Sequence, residues 1–151
     1  MSVKFIKVSD TITADLAKKV RAMNNPQKAL QAAGTVLVSL AKRAFNEADV
    51  RPLPWDPLKP ATIAAKKRKG YSEGILKASG ALMKSPRIIE VTDTSVRVGT
   101  DRPYARYHQE GTSKMPPRPF FPISPDGELT EKAGRLVRSA IVRAINAEMK
   151  G

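Results

Sequence analysis

Cysteine is absent from the 151 residues of this chain, and histidine occurs once, at His108. The first absence excludes disulfides and thiolate metal sites, and it leaves a reducing compartment open. The second excludes a paired-histidine metal centre, and no carboxylates fall at ligand spacing, so no metal and no cofactor are expected. Aromatic residues make up only 5% of the chain, so aliphatic side chains on helices have to supply most of the core. No stretch approaches the ~20 apolar residues that cross a bilayer, and "MSVKFIKVSD" carries no signal-peptide run. The expectation is a soluble protein that stays in the cytoplasm where it is made, with no membrane contact. The glycine patterns GxxxxGK(S/T) and GxGxxG are missing too, which argues against a nucleotide-phosphate loop.

Positive charge is abundant. The formal net charge is +13, and each of the stretches 1–41, 42–77, 78–125 and 126–151 is net positive. Such a field attracts polyanions or acidic protein surfaces and keeps copies apart until they dock. The length fits one domain, 1–151, with a single core.

Periodicity predicts an α+β fold, with amphipathic helices packed on a small antiparallel sheet and long Pro-rich loops. "VKFIKV" (3–8) alternates apolar and basic residues and reads as a strand or an extended arm. Asp10 or Thr13 can cap a helix that places Ile12, Leu16, Val20 and Met23 on one face. "NNP" breaks it, and Pro26 suits the first turn of a core helix over 26–48. Residues 50–75 hold four prolines, one tryptophan and a KKRK run, which leaves room for a short helix at 61–69. A short helix or turn follows at 75–85, with a break at Gly80. "RIIEVTDTSVRVGT" (87–100) reads as a β-hairpin. A short helix from Tyr104 to Glu110 closes at Gly111. A long amphipathic helix is expected from Ser124-Pro125 onward to about Met149. Segments near 50–75 and 111–123 are expected to be mobile.

Three groups invite a chemical reading. His108 lies two residues from Glu110, which are the right residue types for general base work. No serine motif and no cysteine supplies a nucleophile beside it, so the simpler reading is a packing histidine. Lys66, Lys67, Arg68 and Lys69 form the densest positive run. They read as a solvated helix end or as a DNA-facing patch that tracks phosphates without regard to sequence. Trp55, set between prolines, either tacks a loop onto the core or serves as a hot spot in an interface.

Taken in order, four segments resemble the phage virion morphogenesis family, the tail-completion proteins of Mu-like and related tailed phages. They are "WDPLKPAT" (55–62), "ILKASGALMKS" (75–85), a hairpin ending "VRVGT" (96–100), and "YARYHQEGTSKMPPRPFFPIS" (104–124). The last is the most specific: His-Gln-x-Gly, a variable loop, then Pro-x-Arg-Pro-Phe and a closing helix. Ser79 departs from the threonine common in that place, and Pro117 from a small residue. The resemblance implies a non-enzymatic protein of the virion, present in the host cytoplasm during assembly. It would act in tail completion or head–tail joining as a homo-oligomeric ring, with a hexamer as the candidate. Tail terminator or tube proteins and head connector proteins are the implied partners. Non-specific DNA contact stays open, and a nucleic-acid-binding protein with no part in assembly is the alternative. Trp55, Tyr104, His108, Gln109, Pro117, Arg118, Pro119 and Phe120 are the candidate assembly interface. Tyr104, His108 and Gln109 are expected to fix the base of the loop to the hairpin.

Overall fold

The computed structural model describes the backbone of residues 3–6, and residues 12–71, 74–75, 80–124 and 127–150 in full. Asp10, the alternative helix cap, lies outside the described residues. So do residues 7–8, 76–79 and Pro125.

The elements run β1 (Val3–Ile6), α1 (Ala14–Arg21), α2 (Pro26–Arg43), α3 (Pro60–Arg68), α4 (Ala81–Lys84), β2 (Arg87–Val91), β3 (Val96–Gly99), α5 (Ala105–Glu110) and α6 (Glu131–Lys150). This is the expected α+β fold. The three strands form an antiparallel sheet in the order β1-β3-β2, with Val3 opposite Gly99 and Arg87 opposite the same Gly99. The hairpin turns at Thr92–Ser95, where the Thr92 hydroxyl accepts from the amides of Thr94 and Ser95.

Local chemistry sets the helix starts. Thr13 caps α1 by accepting from the Leu16 amide at 3.2 Å. Pro26 occupies the first turn of α2, where its missing N–H costs nothing. α2 is the centre of the molecule, and Ala29, Leu30, Ala33, Leu37, Leu40 and Ala41 are all buried along it. It packs on α6 on one side and on β2 and β3 on the other. α6 answers with buried Ala133, Val137, Ile141 and Ile145. Gly34 lets α2 approach the sheet, since a Cβ there would lie 2.8 Å from a Val96 methyl and 3.0 Å from Ile88.

α6 starts later than the sequence suggests, at Glu131. The preceding residues are used elsewhere: Ile123 bridges Leu129, the Ser124 amide donates to the Glu128 carbonyl, and Gly127 takes a φ of 88°. Thr130 then caps the helix by accepting from the Ala133 amide at 3.2 Å. α2 ends at Arg43, short of the expected 48. The chain instead turns through a 3-10 segment, Ala48–Val50.

Candidate functional site

The short helix α5 and the loop behind it form one unit. Ala105 and Gln109, four residues apart, share the buried face of α5, while Tyr104, Arg106 and Tyr107 face outward. Tyr104 and His108 stack edge to face on one flank, with ring centres 6.0 Å apart. Arg106 and Glu110 pair on the other at 3.2 Å. Gly111 ends the helix at φ 76° and ψ 172°, a conformation open in practice only to glycine. The chain turns through a Thr112–Met115 bridge and runs back beneath α5, where the Arg118 amide donates to the His108 carbonyl at 2.7 Å.

Beneath α5, the sequence Pro117-Arg118-Pro119-Phe120-Phe121-Pro122 solves a hydrogen-bond problem. A buried backbone amide needs a partner. Three of these six residues are prolines and have no N–H to satisfy. The other three are all satisfied: Arg118 by His108, and Phe120 and Phe121 by the Gln109 Oε1, each at 3.1 Å. The Gln109 amide nitrogen returns a bond to the Phe121 carbonyl at 3.2 Å. One buried side chain therefore plays the part of a neighbouring strand. Gln109 fixes the loop as expected, but its bonds run to the loop's own main chain and none of them reaches the hairpin.

Trp55 locks the unit to the core. Its indole N–H donates to the Pro119 carbonyl at 2.9 Å, and its ring meets Phe45, two residues past the end of α2, edge-on at 5.9 Å. Phe120 packs on Phe45 at 5.2 Å and on Phe121 at 4.7 Å. The Arg51 guanidinium lies 3.8 Å over the Trp55 ring and donates to the Ala44 carbonyl. Arg118 reaches back to the carbonyls of Asp56 and Pro57 at 3.1 and 3.4 Å. Trp55, read either as a tack onto the core or as an interface hot spot, and Phe120, expected in the interface, are both turned into this chain's own core, at 8% and 0% exposure. Pro119 is buried with them, whereas Tyr104 and Pro117 stay exposed and His108 and Arg118 are half-buried. Phe45 lies in the core, as its place in the apolar spacing of the expected core helix implies, whereas Arg51 and Phe121 escaped the sequence reading as parts of this unit. Within segment 111–123 these bonds tie Arg118, Pro119, Phe120 and Phe121 to α5 and to Trp55.

The KKRK run divides. Lys67 and Arg68 on α3 and Lys69 just past its end are exposed, and α3 buries no residue of its own. Lys66 turns inward and donates to the Gly74 carbonyl at 2.8 Å. There it faces His108 and Arg118 across a cleft.

Burial, and then the nearby Arg118 charge, hold the His108 pKa below the ordinary histidine value. The unfolded chain therefore binds a proton that the folded one refuses. Stability is full above about pH 6.5 and falls as pH drops through that value toward the folded pKa. His108→Gln should remove this loss. Chemical unfolding of wild type and variant between pH 5 and 8 checks it, and parallel curves would refute it.

No group of three or more acidic, histidine or cysteine side chains that could hold a metal occurs among the described residues. No helix among them is long and apolar enough to cross a membrane. A family model described as the phage virion morphogenesis family matches residues 6–142. No curated protein and no solved structure matches the chain significantly.

Proposed function

The chain belongs to the phage virion morphogenesis family, and from that premise we propose that it completes the tail and joins it to the DNA-filled head. It does so as a ring, without catalysing a reaction. Its neighbours are the tail terminator or tube on one side and the head connector on the other, so it resides in the virion after assembly in the host cytoplasm. The observation that supports a docking role is the surface of the α5 unit. Tyr104 and Tyr107 are exposed at 40% and 55%, amid Arg102, Arg106 and Lys114, and tyrosine and arginine are the residue types that dominate interfaces. The proline-locked loop beneath holds that surface in one shape, so docking loses little conformational entropy.

Trp55, Gln109, Pro119 and Phe120 serve this interface from inside by fixing its base. Tyr104, His108, Pro117 and Arg118 stand at or near its surface. Electron microscopy of particles made without this protein tests the reading. Full heads separate from finished or overgrown tails are expected. Normal joined particles would defeat it.

Lys67, Arg68 and Lys69, with Lys66 at their edge, form the face we assign to DNA passing through the ring. The exposure of three adjacent cations at the C-terminal end of α3 supports this. Duplex binding should ignore sequence, and log affinity should fall with log salt by about 0.9 for each phosphate neutralised. Changing all four to glutamine should flatten that slope. An unchanged slope in a folded variant would place these residues against protein.

A further inference from the structure

Between α3, α4 and α5 lies a cleft of about 300 Å³ in which Lys66, His108 and Arg118 converge, with no aspartate or glutamate among the described residues of its walls. We infer that this cleft is a carboxylate-binding site that takes an acidic side chain from a heterologous partner protein in the particle.

Three observations carry it. First, the polar groups are fixed in place. Lys66 is held by the Gly74 carbonyl, and Arg118 by the carbonyls of Asp56 and Pro57. Neutral carbonyls position these cations without cancelling their charge. Second, the Nδ1 of His108 is buried and finds no hydrogen-bond partner among the described residues, although a buried polar atom is normally paired. Third, the cations act on one another. Burial and then the Arg118 charge lower the pKa of both Lys66 and His108. Like charges gathered in a partly desolvated cleft are unfavourable until an anion joins them.

The remaining walls choose the kind of anion. Leu58, Leu82 and Met115 make them apolar, which suits the methylene stem of a glutamate. A DNA phosphate sits on a hydrated, rigid backbone and brings no apolar stem. A second copy of this chain is a poor source of that side chain, since it carries 14 acidic residues against 27 basic ones, and copies in a ring would meet through other surfaces. The site stands on this geometry alone. Only its placement in a phage particle rests on the function proposed above.

The single histidine gives a reporter free of background. Two capped pentapeptides would be titrated into the purified protein, one with a central glutamate flanked by leucines and one with glutamine in its place. The imidazole resonances of His108 would be followed by NMR. The glutamate peptide should shift them and raise the histidine titration midpoint, because the incoming negative charge favours imidazolium. The glutamine peptide should do neither. Lys66→Met should weaken glutamate-peptide binding by about ten-fold, as expected for loss of one charge-assisted hydrogen bond. Arg118→Lys, which keeps the charge but loses the fork, should weaken it less.

Equal responses to the two peptides, or none to either, would overturn the proposal. So would tighter binding of inorganic phosphate or of a duplex oligonucleotide, which would mark a phosphate site. Shifts that grow with protein concentration alone would reveal self-association and overturn the heterologous partner. Each of these outcomes is independent of the particle microscopy, so the site and the morphogenetic role can fail separately.

Discussion

Gln109→Ala should lower the melting temperature by about 5–15 °C. The substitution strands two backbone amides, those of Phe120 and Phe121, while the Phe121 carbonyl keeps the Ile123 amide at 2.8 Å. A buried group left unpaired costs about 1–3 kcal/mol. Water entering the space left by the side chain relieves part of this, leaving about 2–5 kcal/mol. That is a large share of the ~5–15 kcal/mol by which a domain is stable. At this chain length 1 kcal/mol moves the midpoint by about 2–4 °C. Gln109→Glu separates the two halves of the pin. It keeps an acceptor for the amides but sets an oxygen against the Phe121 carbonyl. Only the protonated acid can donate there, so its folded pKa must rise. A raised pKa in a carboxyl means stability that is present below the unfolded value of about 4.3 and lost as pH climbs above it. Relative to wild type, the glutamate variant should therefore be weak at pH 7 and recover near pH 4. Scanning calorimetry at both values settles the matter. A shift of under about 3 °C for the alanine variant, a surface-sized effect, would mean that the loop is held by its aromatic rings alone.

Gly111→Ala should be nearly as damaging, for a different reason. A residue with a side chain is strained by about 1–3 kcal/mol at the φ and ψ of Gly111. A Cβ there would also lie 2.8 Å from the backbone nitrogen of Pro117 and 2.9 Å from its ring. Main chain cannot rotate away as a side-chain tip can, and overpacking of this kind costs about 1–3 kcal/mol more. We expect a fall of about 2–5 kcal/mol in unfolding free energy, read from urea titration. Gly70 makes a comparison. It too has a positive φ, 71°, at a helix-end turn, and a Cβ added there would meet nothing within 4 Å, so Gly70→Ala should show the cost of a positive φ without the clash. Equal losses at the two glycines would refute the role assigned to Pro117.

Much of this architecture is written locally. Thr13, Pro26 and Gly111 announce helix ends through chemistry that needs no distant partner, and the Thr92–Ser95 turn is legible for the same reason. The start of α6 is not, because its apolar spacing continues backward through Leu129. What removes that residue from the helix is a bridge to Ile123. The candidate site is legible as a unit and misleading in its orientation. A tryptophan between prolines, and a phenylalanine after them, look equally suited to a partner or to the core. The choice depends on Phe45 and on a Trp55–Pro119 hydrogen bond that spans 64 residues of sequence. The four cations of KKRK look alike in sequence. Helical rotation and the Gly74 carbonyl separate the first from the others.

The pairing of α2 with α6 has a consequence for how the molecule comes into being. Their ends are joined by an Asn25–Glu148 bond that spans 123 residues, and among the described elements α6 is the most extensive single neighbour of α2, ahead of either strand of the sheet. A ribosome adding about 5–20 residues each second finishes α2 several seconds before α6 emerges. Throughout that interval a sticky helix waits for its mate. Nascent chains should be most exposed to chaperone capture and aggregation then, and slower translation between the two helices would lengthen the danger.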